Sequence, residues 1–104
     1  MENGWKKLGT FGVDSGQVLI TDPCYLDDWK DEEFEDEAIE KIQKSDDYPY
    51  SYCGACARTL KGEGGHIGLG CDGIVSSTGW GDGVYPVYAL IENGRVKELK
   101  IKFF

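Results

Sequence analysis

The chain has 104 residues, a length that suits one domain with a single hydrophobic core. Its composition, 40% hydrophobic and 29% charged, is that of a folded protein and excludes a collagen-like or disordered chain. A formal net charge of −8 disfavours nucleic acid as a partner, because the phosphate backbone would be repelled.

Glycine is the unusual component, with 15 residues beside six tyrosines and four phenylalanines, and this mixture favours tight turns and β-structure. The N-terminal segment lacks the apolar run of a signal peptide, and no stretch approaches the length of a membrane span. We therefore expect a cytoplasmic protein with no membrane partner and with reduced cysteines. The sequence does not determine the oligomeric state.

The first elements in chain order are two predicted strands, over residues 8–13 and 17–21. They flank the turn Asp14-Ser15-Gly16, where the glycine can adopt a positive φ. Asp22-Pro23 then ends the second strand, because proline cannot donate to a β-ladder.

An acidic helix is predicted next, over about 28–44, as an insert. Asp27 or Asp28 can cap its first turn, and lysines occupy its last turn, as the helix dipole favours. Eleven acids and three lysines between Asp27 and Asp47 account for the entire net charge. The rest of the chain is therefore electrically balanced.

The second half is predicted to be mostly β. Residues 48–60 are aromatic and small, which indicates one or two strands kinked near Gly54. A loop over 61–65 and short strands over 67–71 and 74–78 follow. Asn93-Gly94 is the preferred pair for a two-residue turn and predicts a C-terminal hairpin over 84–103.

The register of that hairpin predicts a core-facing side. If the turn sets the pairing, Glu92 lies opposite Arg95, Tyr88 opposite Leu99, and Pro86 opposite Ile101. The apolar side chains that would then form the core face are Val84, Tyr88, Leu90, Leu99, Ile101 and Phe103.

These elements predict the fold class. Short strands outnumber helices, and turns separate several of them. We predict a single domain over 1–104 in the α+β class, mostly β: an antiparallel sheet or open β-barrel of about six to seven short strands, with one acidic helix packed against it.

The four cysteines suggest two interpretations. Cys53 and Cys56 have the spacing of a zinc knuckle, and Cys24 and Cys71 could complete a tetrahedral site. A zinc ribbon normally supplies two such pairs, however, so buried small hydrophobes are the favoured interpretation. A redox pair would need a helix that begins at the first cysteine, and the pattern predicts none.

Turn aspartates are the second candidate group: Asp14, Asp22, Asp72 and Asp82. Gathered on neighbouring loops, they could bind a cation or a polar ligand. Aspartate beside Gly, Ser or Pro also hydrogen-bonds its own turn, and we expect this role for at least two of the four.

No catalytic residue is predicted. His66 is the only histidine, and Cys24 with His66 as base is conceivable but disfavoured, since a lone loop histidine is more often idle. Trp80, at a glycine-flanked turn, is a candidate for stacking on a ligand. The acidic helix could engage a basic partner, although a solvated face is the more usual role.

Two motifs resemble a family of uncharacterised small bacterial and phage-borne proteins. The first is Asp14-Ser15-Gly16, an apolar strand and Asp22-Pro23-Cys24-Tyr25. The second is Gly81-Asp82-Gly83 followed by Tyr85-Pro86-Val87-Tyr88. The resemblance spans most of the chain outside the acidic helix, which looks like a variable insert. It implies a compact β-rich fold and transfers no activity or catalytic residue.

The leading functional hypothesis is a non-catalytic domain that binds a small polar ligand or peptide at the Asp22 and Asp82 loops. The alternatives are an acidic inhibitor of a basic partner and a small protein that depends on zinc or on a reactive cysteine. The predicted ligand-binding residues are Asp14, Asp22, Tyr25, Trp80, Asp82 and Tyr85. No cofactor is expected, apart from zinc in the third alternative.

Overall fold

The computed structural model describes residues 3–104, so Met1 and Glu2, where the predicted domain begins, lie outside the described residues. Within that range the chain forms six strands and three helices. The strands are β1 Gly4–Val13, β2 Gln17–Thr21, β3 Gly64–Ile67, β4 Gly73–Ser77, β5 Gly83–Glu92 and β6 Arg95–Ile101. The helices are a 3-10 helix Pro23–Asp28, α1 Asp36–Ser45 and α2 Tyr52–Lys61.

The strands form two open antiparallel sheets, with the orders β1-β5-β6 and β2-β4-β3. The predicted mostly β, α+β class is confirmed. The chain divides into two compact units, one holding the described residues up to Gly16 with Thr78–Phe104, the other Gln17–Ser77. The single domain stays a prediction.

The turn between β1 and β2 joins two different sheets. Gly16 has a φ of +69°, as the sequence predicts for this turn. β1 nevertheless pairs with β5 and β2 pairs with β4, so the two consecutive strands do not form a hairpin with each other.

β5 and β6 form the predicted C-terminal hairpin, but its register changes within the strands. Asn93 and Gly94 both have positive φ, and Glu92 pairs with Arg95 as predicted. A bulge beyond Ile91 then offsets the pairing by one residue, so that Tyr88 lies opposite Lys100. Because side chains alternate along a strand, this offset changes which β6 side chains lie beside each β5 side chain on the same face of the sheet.

The predicted core face of this hairpin is wrong at two positions. Val84 is 69% exposed and Leu99 is 65% exposed. The buried β5 residues are Tyr85 and Ala89, on the opposite face of the strand. The Tyr85 ring selects this face, because it packs edge-on against Phe103 with ring centroids 5.3 Å apart.

The core of the second unit lies between α2 and the sheet β2-β4-β3. Ile67 and Val75 are at most 1% exposed, and Ala57 of α2 is completely buried. Burying one such aliphatic side chain contributes about 1.5–3 kcal/mol. α1 adds Ile39, which is 4% exposed, to the same cluster.

The strands predicted over 48–60 are wrong, because this segment contains α2. The Ser51 hydroxyl accepts a hydrogen bond from the amide of Gly54 at 3.0 Å and caps the helix. The five small residues that follow, 53–57, are all buried, so the first half of α2 is enclosed around more than one full turn. The strand predicted over 67–71 is misplaced as well: β3 occupies Gly64–Ile67, partly within the predicted loop over 61–65, and Gly68, with a φ of +86°, follows its end.

The acidic helix begins at Asp36, eight residues later than predicted. The amide of Lys30 donates a hydrogen bond to the carbonyl of Tyr50 at 3.3 Å, and the carbonyl of Lys30 accepts one from the amide of Tyr52 at 3.0 Å. The thiol of Cys53 donates to the carbonyl of Glu33 at 3.2 Å. These contacts hold the preceding segment extended, whereas Asp27 and Asp28 end the 3-10 helix and cap no α-helix.

Gly54 allows the first turn of α2 to lie directly against the chain that precedes it. A Cβ at this position would overlap the carbonyl oxygen of Pro49, which is backbone and cannot move aside alone. At Gly62, just past the end of α2, a Cβ would meet nothing within 4 Å, and the backbone there is extended.

We therefore predict that Gly54→Ala destabilises the protein by about 1–3 kcal/mol, the usual cost of forcing extra atoms into a packed core. Urea unfolding monitored by circular dichroism measures this change. Gly62→Ala is the matched control and should change the free energy of unfolding by less than about 0.5 kcal/mol. Equal effects of the two substitutions would contradict the close packing at Gly54.

Candidate functional site

The candidate site is a surface cavity of about 490 Å³ in the second unit, where β2, the 3-10 helix and the loop between β3 and β4 meet. Its lining combines carboxylates, a phenol, an imidazole, a thiol and two isoleucines. The lining residues are Ile20, Thr21, Asp22, Tyr25, His66, Gly70, Cys71, Asp72, Gly73 and Ile74.

A row of paired residues across the sheet contributes to the lining. Ile20 pairs with Ile74, which also pairs with His66, so the three side chains share one face. Ile20 and Ile74 are 56% and 53% exposed. The opposite face is closed, since Val75 is buried in the core with α2. The cavity therefore has apolar surface that the domain itself leaves uncovered.

Asp22 shapes the turn that presents Tyr25. Its Oδ1 accepts a hydrogen bond from the amide of Cys24 at 2.9 Å and caps the 3-10 helix. Its carbonyl accepts from the amide of Tyr25 at 2.9 Å. Within residues 3–104, Oδ2 of Asp22 has no hydrogen-bond partner, so one carboxylate oxygen stays available at the cavity.

Asp72 holds the loop on the other side of the cavity. Its Oδ2 accepts from the amide of Leu69 at 2.9 Å, and its carbonyl accepts from the Thr21 hydroxyl at 2.8 Å. A Cβ at Gly68 would overlap the Asp72 side chain, so the loop requires glycine there. Asp22 and Asp72 thus confirm the expectation that at least two turn aspartates bond to local backbone.

The other four predicted ligand residues lie in the first unit: Asp14, Trp80, Asp82 and Tyr85. Trp80 is 62% exposed and stacks on Phe104, with centroids 4.5 Å apart. Tyr85 is 7% exposed, and its hydroxyl donates to the carbonyl of Gly81 at 2.7 Å. Tyr85 therefore stabilises the turn before β5, while Asp14 and Asp82 are exposed.

His66 and Cys71 were not predicted to lie at this ligand site, and were considered only as a base and a zinc ligand. Asp72 was one of the four turn aspartates that could bind a cation or a polar ligand, but it was not among the predicted ligand-binding residues. The missing information is the pairing of β3 with β4, which brings the two ends of the intervening loop together. Correct strand boundaries on either side of that loop would have grouped these residues.

The cysteines separate into two kinds. Cys53 and Cys56 lie in the first half of α2 and are 2% and 5% exposed, whereas Cys24 and Cys71 are exposed. The expectation that no helix begins at the first cysteine is therefore wrong. Burial nevertheless raises the pKa of the Cys53 thiol, which opposes formation of a reactive thiolate.

No group of three or more potential metal-binding side chains is found within residues 3–104. The zinc site at Cys24, Cys53, Cys56 and Cys71, which the sequence disfavours, stays an untested alternative. The same range contains no helix that is both long and apolar enough to span a membrane.

A second surface cavity, of about 250 Å³, lies where α1 and α2 end. Lys61 joins the two helix ends: its ammonium group lies 3.2 Å from Oδ1 of Asp46 and 3.2 Å from the carbonyl of Gln43. The hydrogen bond from Lys61 is the main reason that the pKa of Asp46 is lowered below its ordinary value.

The described part of the chain is mostly β, with helices packed alongside two small antiparallel sheets. The model of the family described as protein of unknown function DUF4241 matches residues 4–101, so the chain belongs to that family. Comparison with curated proteins and with solved structures finds no match.

The pair formed by Asp46 and Lys61 predicts a pH dependence. Because the pKa of Asp46 is lower in the folded state, its contribution to stability is present above pH about 4 and is lost as the pH falls through the folded pKa. Urea unfolding from pH 7 to pH 2 should show the stabilities of the wild type and Asp46→Asn converging in acid.

Lys61→Met keeps the carboxylate of Asp46 and removes the ammonium group that pairs with it. This variant should therefore lose the pH-dependent part of the stability that Asp46→Asn also loses. If Lys61→Met retained the wild-type profile, the lowered pKa of Asp46 would have to come from another neighbour.

Proposed function

We propose that this protein is a non-catalytic binding domain that takes a small polar ligand at the cavity next to Asp22. The observation that supports this proposal is the presence of Asp22 and Tyr25, both selected from the sequence, in the lining of one cavity. Its volume of about 490 Å³ lies within the range usual for small-molecule sites.

The lining favours a ligand that donates hydrogen bonds and is neutral or cationic. Asp22 offers a carboxylate oxygen without a protein partner, and Tyr25 and His66 add polar groups beside it. No lysine or arginine lines this cavity. A charge-assisted hydrogen bond to Asp22 would contribute about 1.5–3 kcal/mol. The exposed isoleucines would contact an apolar part of the ligand.

Binding is preferred over catalysis because no activated nucleophile is formed at the cavity. Cys71 and His66 both line it, but no hydrogen bond joins them within the described part of the chain. An activated thiol needs a base within hydrogen-bonding reach. The cavity groups therefore support recognition of a ligand better than attack on one.

The first test of this proposal is a titration of the full chain with small amines and neutral polar fragments, followed by ¹⁵N NMR. We expect shifts at the amides of residues 20–22, 24–25 and 66–74, since Pro23 has no amide proton. Asp22→Asn should weaken the best amine about tenfold, since it removes the charge but retains an acceptor that can cap the 3-10 helix.

Asp14→Asn is the matched control, because it makes the same charge change at an exposed carboxylate in the other unit. It should leave the affinity within about twofold of wild type. Fragments that shift none of these amides, or that bind Asp22→Asn as well as wild type, would contradict the proposal.

A second candidate function is an acidic surface that engages a basic partner. All eleven acids between Asp27 and Asp47 are exposed, and only Asp46 forms an ion pair within residues 3–104. This segment therefore presents a large, mostly unneutralised negative charge, which would attract a cationic protein and speed its association at low salt.

This candidate predicts salt-sensitive binding of a lysine-rich peptide by the full chain. Neutralising Glu32, Glu33, Asp36 and Glu40 should weaken that binding at least tenfold at low ionic strength, measured by calorimetry. The charge-matched control neutralises Asp14, Glu63, Asp82 and Glu98. Equal losses in the two variants would show an effect of net charge alone and would exclude the acidic segment as a docking surface.

A further inference from the structure

The cavity where α1 and α2 end contains a cation, Arg58, that forms no salt bridge with the described residues, although its charge acts on Asp46 and helps to lower the pKa of that carboxyl. Arg58 and Lys61 of α2 both line it, together with Tyr48, Asp46 and Glu63. Lys61 is paired with Asp46. Within residues 3–104, Arg58 forms neither a salt bridge nor a hydrogen bond.

The guanidinium of Arg58 is nevertheless held in a defined position. Its central carbon lies 4.6 Å from the centroid of the Tyr48 ring, within the range of a cation–π contact. On another side it lies against Gly65, where a Cβ would overlap the guanidinium itself. Tyr48 is 4% exposed, so the ring that supports Arg58 is fixed in the core.

The contacts of Arg58 with Tyr48 and Gly65 fix its side chain more closely than a favourable interaction with the helix dipole requires. Arginine and lysine are favoured near a helix C-terminus because of the helix dipole, and that effect needs no fixed side chain. A guanidinium held between a ring and a glycine has already lost most of its rotamer freedom, so binding an anion would cost little further ordering.

We propose that Arg58 binds the oxyanion of a small ligand, a carboxylate or a phosphate group, with Lys61 as a second contact. The planar guanidinium can donate two parallel hydrogen bonds to either group. The volume of about 250 Å³ limits the ligand to a small molecule. Lys61 can contribute because its pair with Asp46 is exposed, and such pairs are weak.

The two carboxylates of the cavity limit the affinity that we expect for an anion. Asp46 and Glu63 both repel an anion, although Lys61 offsets the charge of Asp46. We therefore expect inorganic phosphate and acetate, which offer the oxyanion alone, to bind in the millimolar range. A natural ligand with further contacts would bind more tightly.

The test is a ¹⁵N NMR titration of the full chain with sodium phosphate and, separately, with sodium acetate, each at constant ionic strength maintained with sodium chloride. We expect saturable shifts at Asp46 and at residues 58–65. The anion that binds more tightly identifies the chemistry of the ligand. Shifts that do not saturate, or that chloride alone reproduces, would overturn the proposal.

Arg58→Lys is the decisive variant, because it retains the charge and removes the planar fork. It should weaken the preferred anion at least fivefold, whereas Arg95→Lys, at an exposed hairpin position, should leave the affinity unchanged. Equal affinity in wild type and Arg58→Lys would overturn the role of the guanidinium. If Arg58→Lys does not fold, Gly65→Ala, which displaces the guanidinium, provides the same comparison.

Discussion

The contact between Gly54 and Pro49 is the constraint on which the second unit depends. It allows the first turn of α2 to lie directly on the chain before it, so the two tyrosines beside Pro49 enter the core at fixed positions. Tyr48 then supports the guanidinium of Arg58, and the hydroxyl of Tyr50 lies 2.8 Å from that of Thr21. One backbone contact thus stabilises groups at both cavities.

The two cavities differ in the charged side chains that line them. The cavity next to Asp22 is lined by two aspartates and no lysine or arginine, whereas the other is lined by two cations and two carboxylates, with Lys61 paired to Asp46. The acidic segment lies outside the core, with all its carboxylates exposed. Because screening weakens interactions between exposed charges, the electrostatic potential at each cavity depends more on the nearest side chains than on the net charge of −8.

Prediction from the sequence succeeded where local chemistry was sufficient. Asn93-Gly94 forms the hairpin turn, Gly16 has a positive φ, and Asp22 ends β2 and caps the next helix. Two of the ten lining residues of the candidate site were also predicted, since Asp22 and Tyr25 belong to one short motif. His66 and Cys71 were not assigned to it, because their proximity depends on the pairing of β3 with β4.

The sequence by itself determined the mostly β class, the turns and the position of the acidic segment, because each follows from residues close together in the chain. Only the tertiary structure decided that Tyr52 begins a helix and that the acidic helix begins no earlier than Asp36. For α2 the physical reason is the burial of residues 53–57 in the core, and for the acidic helix it is the set of contacts that holds the preceding segment extended. Contacts of Lys30 and Glu33 with the start of α2, about 20 residues away in the chain, outweigh local propensity.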